Sequence, residues 1–329
     1  MTMHRRRFLQ AAGAAAIPAL PRTAAAQAYP TRAITFIVPF PPGAATDVCA
    51  RIVADHMSRT LGAQLIIQNV SGAGGTVGSA RAMRAEADGY TILMGQMGTH
   101  AASVALYPNL PYRPAEDFEA VGQVAAFPLL IAARKDFPAN DLKEFIAYLK
   151  ANDTTINQGH AGVGSIFFTT CLMLNSILGI KPTMVPFAGG APAMNALVGG
   201  QVDFMCGDIL TGASQFNDGK IKIYALAAPA RNAAIPQVPT TAEAGLPEWT
   251  VAGWNAIFAP KGTPQGIVDA LADALDKALD DEATRNRLFV LGCDIPGKPQ
   301  RGPAALHALV VSEIARWSPI IKAAGVSMN

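Results

Sequence analysis

The stretch from Ile34 to Met57 constrains the chain most, because it changes backbone habit twice within a few residues. Ile34 to Val38 is a short apolar, β-branched run of the kind a buried strand requires. Pro39, Pro41, Pro42 and Gly43 stop that strand and force a turn. From Thr46 the apolar spacing becomes helical, with Val48, Ile52, Val53 and Met57 on one face. Thr46 or Asp47 is expected to cap the helix, and Gly43 lets the backbone come close to a guest. Free N–H groups at a helix start, carrying the positive end of its dipole, make an anion site. The loop is expected to hold a carboxylate or a phosphate, and the residues alone leave both open.

The same design recurs down the chain. Leu65 to Asn69 reads as a strand, followed by the glycine turn Ser71 to Gly78 and a helix from Ala80 to Ala87. The turn is not a dinucleotide fingerprint: G-x-G-x-x-G needs glycine at 77, where Val77 stands, and no acidic residue ends the next strand. Its glycines read as a tight turn with close helix packing. Tyr90 to Met94 is a strand that ends in the small polar loop Gly95–His100, at the kind of strand end where open α/β sheets bind ligands. Val121 to Ala133 is apolar but split by Pro128, so a crossover between lobes is expected rather than one strand.

Further on, a helix is expected over Leu142–Leu149, begun at Asn140 and Asp141. Ile156 to Ser165 leads through glycines into the helix Ile166–Leu178, and Met184 to Met194 leads likewise into a helix at Ala193–Val198. A strand at Gln201–Met205 ends in Cys206 to Asp208, before a short helix at Gly212–Phe216 and a strand at Ile221–Ala227. Thr250 to Ala259 is an extended return, and helices follow over Gln265–Asp280, Glu282–Leu291 and Ala304–Ala323. Alternating strands and helices indicate α/β layers. Two extended crossovers around an insertion indicate two lobes and a hinge, with 29–128 and 250–329 forming a discontinuous first lobe and 129–249 the second.

The N-terminus reads as an export signal. Arg5, Arg6 and Arg7 precede an Ala-rich apolar stretch from Leu9 to Leu20, and small residues offer cleavage after Ala26 or Ala28. Arg5-Arg6-x-Phe8-Leu9 resembles the twin-arginine motif, with an ordinary Sec-type signal as the alternative. A periplasmic protein is expected. Losing the four arginines of residues 1–28 takes the formal charge from +2 to −2, which gives nucleic-acid binding no support. Cys49, Cys171, Cys206 and Cys293 form no C-x-x-C pair, so neither a zinc site nor a redox motif is indicated. Buried free thiols are expected ahead of disulfides, because Cys49 and Cys171 sit on apolar helix faces.

Catalytic chemistry finds little footing. No G-x-S-x-G elbow, H-E-x-x-H pair or Walker loop occurs. His56 and His307 lie within helices; His100 and His160 sit in ligand-side loops, where a histidine more often hydrogen-bonds than acts as a base. Ser165 follows Gly164 at a helix start and reads as a cap or ligand contact, since no partner base is named for a nucleophile. Asp47 likewise reads as a cap or an acceptor for a ligand rather than a general acid.

Segments in order from Tyr29 almost to the C-terminus resemble the Bug-type periplasmic receptors of tripartite tricarboxylate transporters. They are Tyr29-Pro-Thr-Arg-Ala-Ile-Thr-Phe-Ile-Val-Pro-Phe-Pro-Pro-Gly43 with Asp47, Gly72-Ala-Gly-Gly75, Ala87-Asp-Gly-Tyr-Thr91, and Leu110-Pro-Tyr-Arg-Pro114 with Asp117-Phe118. Val185-Pro-Phe-Ala-Gly-Gly-Ala-Pro-Ala-Met194, Gly200-Gln-Val-Asp203 and Val238-Pro-Thr-Thr-Ala-Glu-Ala-Gly-Leu-Pro247 complete the set.

The resemblance implies a two-lobed periplasmic binding protein type II fold, hinged between the lobes, that closes on a small organic carboxylate. It implies delivery to the subunits of a membrane permease, by a monomer without a cofactor. It also places ligand-binding residues at Phe40, Gly43, Ala44, Thr46, Asp47 and Thr99 on one lobe. On the other it places Gly162, Gly164 and Ser165, with Phe187, Gly189 and Asp208 nearby.

Several positions depart from the family pattern. Ala44 stands where a second glycine is usual, His160 where a serine is common, and Phe168 where a histidine is common. Phe187 and Ala188 replace a frequent tyrosine and lysine, which makes that side of the pocket less polar. The expected ligand therefore has one firmly held carboxylate and an apolar or aromatic body, unlike citrate. A receptor presenting its ligand to a membrane sensor kinase, or an exported α/β enzyme, are the alternatives.

Overall fold

The computed structural model describes residues 29–327, and the expected export signal at 1–28 lies outside them. Strands β1 (Ile34–Val38), β2 (Leu65–Asn69) and β3 (Thr91–Gln96) pair in parallel. Parallel neighbours need a crossover, and helices α1 (Ala45–Leu61) and α2 (Thr76–Met83) supply it. The short helix α3 (Ser103–Leu106) follows a single π turn over Gly98–Ala102.

Strand β4 (Phe118–Arg134) organises the rest. A second parallel group consists of β5 (Asn157–His160), β6 (Thr183–Pro186) and β7 (Phe204–Asp208). Between and after them run helices α4 (Leu142–Asn152), α5 (Ile166–Leu178), α6 (Gly190–Val198) and α7 (Ile209–Asn217). Strand β8 (Ile221–Leu226) lies against β4, and β9 (Ala252–Pro260) joins β3 to β4. The sheet order is β2-β1-β3-β9-β4-β7-β5-β6.

The crossover expected over Val121–Ala133 is instead the interior of one strand of 17 residues. Residues 118–128 of β4 pair with β9, whereas 129–134 pair with β7 and β8. Pro128 forms the last pair with β9, opposite Ala252, at the point where the ladder changes partners. Its missing N–H therefore interrupts no run of pairs, which is how a proline survives inside a long strand. The sheet passes from one lobe to the other through β4 with no break in the chain.

Helix boundaries follow local chemistry. Helix α1 begins at Ala45 with Ala44 as its N-cap, so neither Thr46 nor Asp47 takes that place. Helix α2 starts at Thr76, four residues earlier than the apolar spacing predicts, immediately after a left-handed Gly75. Asp141, Ser165 and Asp208 cap α4, α5 and α7, accepting from the backbone N–H of Glu144, Phe168 and Thr211. Strand β7 runs on through Cys206 to Asp208, three residues past the expected end.

Helices α8 (Gln265–Asp280), α9 (Glu282–Val290) and α10 (Pro303–Ala323) return to the first lobe. Val268, Leu271, Leu275 and Leu279 form the buried stripe of α8, which lies on α1. Helix α10 packs against β4, α3 and α5, and so braces both lobes from behind. Trp249 and Trp317 are fully buried, their indole N–H groups donating to Thr170 O and Glu313 Oε2. All four cysteines are buried and free, with Cys49 Sγ 3.9 Å from Cys293 Sγ. Among the described residues no helix is long and apolar enough to cross a membrane.

Candidate ligand-binding site

The two parallel groups turn the C-terminal ends of their strands toward one cleft, so the loops after β1, β3, β5, β6 and β7 meet there. After β1, Pro39 is buried, Phe40 half-buried, and Pro41 to Gly43 exposed. Gly43 has φ +81°, which a residue with a Cβ adopts only under strain. Ala44 is extended at φ −64°, ψ 154°, so replacing a glycine there forfeits no conformation the loop needs.

Asp47 holds this loop together. Its Oδ2 accepts from Gly43 N and Arg51 Nε, each at 2.9 Å, and its Oδ1 from Asn69 Nδ2 at 2.8 Å. The same Asn69 amide donates to Phe40 O at 2.9 Å. Burial alone would raise the Asp47 carboxyl, but bonds from Arg51, Gly43 and Asn69 outweigh it and hold the group below its usual value. Asp47 is 1% exposed, and its three hydrogen bonds position the loop.

The loop's own donors are divided. Gly43 N is taken by Asp47, and Ala44 N donates to Pro41 O at 3.2 Å. The N–H groups of Ala45, Thr46 and Asp47 open a helix whose N-cap alanine offers no side chain to them. The unsatisfied positive end of α1 thus lies one step further along than the glycine–alanine pair.

The opposite rim is built similarly. Gly162 and Gly164 have φ +94° and +82°, and Ser165 caps α5. Ser165 Oγ donates to Gly162 O at 2.6 Å and accepts from Phe168 N at 3.2 Å, so the hydroxyl tightens its own loop and has no base beside it. Phe187 is half-buried, and its N–H donates to His160 O at 2.9 Å, clipping the β6 loop to the β5 loop. Gly189 is the N-cap of α6 with no side-chain cap, leaving a second uncapped helix start on this lobe. Asp208 Oδ1 accepts from Thr211 N and Oγ1 at 2.8 Å each; burial raises its carboxyl above the usual value.

Thr99 is fully buried. Its Oγ1 exchanges hydrogen bonds with the Gln96 backbone at 3.1 Å and lies 2.8 Å from His100 Nδ1. His100 stacks on Phe258 at 4.0 Å between ring centroids and is driven down to about 3 by burial. It is a neutral core ring. His160 is buried too, falls to about 4 chiefly through desolvation, and faces Phe168 with centroids 4.9 Å apart. Neither imidazole is set up as a base.

The two rims touch. A Cβ built on Gly74 would stand 2.6 Å from Val163 O, and one on Gly98 would collide with Gly164 O. One on Gly292 would come within 2.7 Å of Ile209. Ala45, Cys49, Phe127, Asp208, Leu210, Leu291 and Cys293 enclose a small cavity between the lobes. The clamp is closed. These contacts, and Tyr107 beside them, were invisible in the sequence because each joins residues far apart in the chain; only the density of glycines in the loops hinted at them.

An α/β fold of two lobes whose strand-end loops meet at one cleft is the architecture of a periplasmic binding protein. The chain belongs to the tripartite tricarboxylate transporter family of receptors, whose model matches residues 49–326. It superimposes on MatC of Rhodopseudomonas palustris, solved with bound malate, at a TM-score of 0.84 and 45% identity, covering 89% of this chain and 100% of that one. The periplasmic binding protein BugD aligns at 0.84 with 38% identity, covering 91% and 100%. A second R. palustris protein, solved with adipate, aligns at 0.85 with 30% identity and the same coverage. The members of this family are substrate-binding receptors.

Proposed function

We propose that this chain is a periplasmic receptor, not an enzyme, that captures a small organic carboxylate between its lobes and hands it to the subunits of a tripartite permease. The observation that carries the proposal is the pair of uncapped helix starts, α1 on one lobe and α6 on the other, beside the glycine loop at 162–165. Backbone donors held in place before binding cost little to organise, and closure strengthens them by excluding water. The malate and adipate of the related structures extend this to dicarboxylates with a short or aliphatic body. Phe187 and Ala188 favour the less polar of these over citrate. Residues 29–128 with 250–329, and 129–249, serve as the two moving bodies, in a monomer exported by the signal at 1–28 and cut after Ala26 or Ala28.

The test is a thermal-shift and calorimetry panel on the mature chain containing malate, adipate, an aromatic monocarboxylate and citrate. At 100 times its Kd a true ligand stabilises the fold by about 2.7 kcal/mol, easily visible as a shift in Tm. Tight citrate binding with no response to the other acids would reject the apolar-bodied ligand. No response to any carboxylate would reject capture.

A further inference from the structure

The glycine loop after β2 is one of the two places, with Gly98, where the first lobe's glycine loops meet the second lobe's backbone. A Cβ on Gly74 would lie 2.6 Å from Val163 O and 3.0 Å from both Gly164 Cα and Tyr107 Oη. A Cβ on Gly164 would lie 2.8 Å from Tyr107 Oη and 3.4 Å from Gly74 Cα. The two loops leave room between them for one phenol oxygen and nothing larger.

Tyr107 supplies that oxygen. It follows α3 on the first lobe, and its Oη donates to Ala73 O at 3.1 Å while lying 3.4 Å from Val163 O on the second lobe. A single hydroxyl hydrogen therefore serves one carbonyl of its own lobe and one across the cleft. Burial raises the phenol's pKa further above neutrality, so the hydrogen is present throughout the physiological range.

We infer that Tyr107 and the Gly72–Gly75 loop form a clasp that slows the opening of the closed clamp around its ligand. This rests on the capture reading above. With the lobes apart, Tyr107 keeps its bond to Ala73 O while water satisfies Val163 O. On closure Val163 O loses that water to the packed glycines and shares the phenol hydrogen instead. The contact exists only in the closed state, so it acts on release and not on encounter. The glycines are required because a methyl at 74 or 164 would hold the carbonyl and the phenol out of reach.

The experiment uses the mature chain with malate and adipate as probes and a spin-label pair placed across the cleft. Tyr107→Phe keeps the ring and removes the hydroxyl. Dissociation measured by stopped flow is expected to speed up by roughly two- to tenfold, the effect of one net hydrogen bond, with association unchanged. Gly74→Ala, which obstructs the contact itself, is expected to leave the label distance long even at saturating ligand. A Tyr107→Phe variant that closes and releases at the wild-type rate, or that changes only the melting temperature of the ligand-free protein, overturns the clasp alone. A wild type whose label distance responds to neither acid overturns capture and the clasp with it.

Discussion

At the scale of single residues, the candidate site depends on side chains that position its loops. Asp47 reads in the sequence as a cap or a ligand acceptor, and instead bonds Gly43, Arg51 and Asn69. Its proximity to the loop was legible, because a carboxylate at the third helical position can reach back to the preceding turn. Its real partner Asn69 was not, because that residue ends a different strand. Asp47→Asn keeps the shape but turns one acceptor into a donor facing a donor. We expect a loss of about 2 kcal/mol in urea unfolding. The acid dependence has a definite sign. Asp47 is held below its usual value near 3.8, so its contribution is complete above that unfolded value and is lost as pH falls through the folded one. The difference between wild type and variant should hold steady from neutrality to about pH 5 and shrink below about pH 4. A constant difference down to the acid limit would mean that the charge is irrelevant. His160 and Phe168 are spatial neighbours with ring centroids 4.9 Å apart.

At the scale of elements, strong local signals translated directly and tertiary ones did not. Helix α5 runs from Ile166 to Leu178 as its apolar run and the serine before it predict. Strand β4 was misread because Pro128 is a local stop signal, overridden by a change of partner that only the sheet reveals. The start of α1 was misplaced because Thr46 and Asp47 are good caps, yet the extended Ala44 takes the position and leaves the donors free. That choice can be tested by supplying the missing cap. Ala44 already has the extended dihedrals an N-cap uses, so Ala44→Asp should satisfy α1 and add about 1 kcal/mol of stability. Its carboxylate would occupy the donors proposed to hold the ligand and repel a second anion. Calorimetry should then show carboxylate affinity falling at least about tenfold, which corresponds to 1.4 kcal/mol. A stabilised variant with unchanged affinity would place the anion elsewhere.

At the scale of the whole molecule, the proposed capture depends on how completely two lobes can approach. Two extended segments around an insertion suggest a hinge in the sequence, and they fall within strands β4 and β9. What the chain could not disclose is where closure is limited, since that depends on residues brought together only when the cleft shuts. Gly292, after α9, meets Ile209 at the start of α7, on a part of the rim separate from Tyr107. A Cβ there would come within 2.7 Å of Ile209 Cβ, a branched atom fixed on a helix and unable to swing aside. Gly292→Ala should therefore cost the closed state more than the open one, beyond a strain of about 1 kcal/mol from its φ of +74° that both share. Apparent affinity divides by the fraction of molecules able to close, so a closure penalty of about 1.4 kcal/mol weakens binding about tenfold. Small-angle scattering at saturating ligand should report a larger radius of gyration than wild type, with urea stability little changed. Wild-type scattering and affinity in Gly292→Ala would show that the contact with Ile209 yields, and that closure is set at the glycine loops alone.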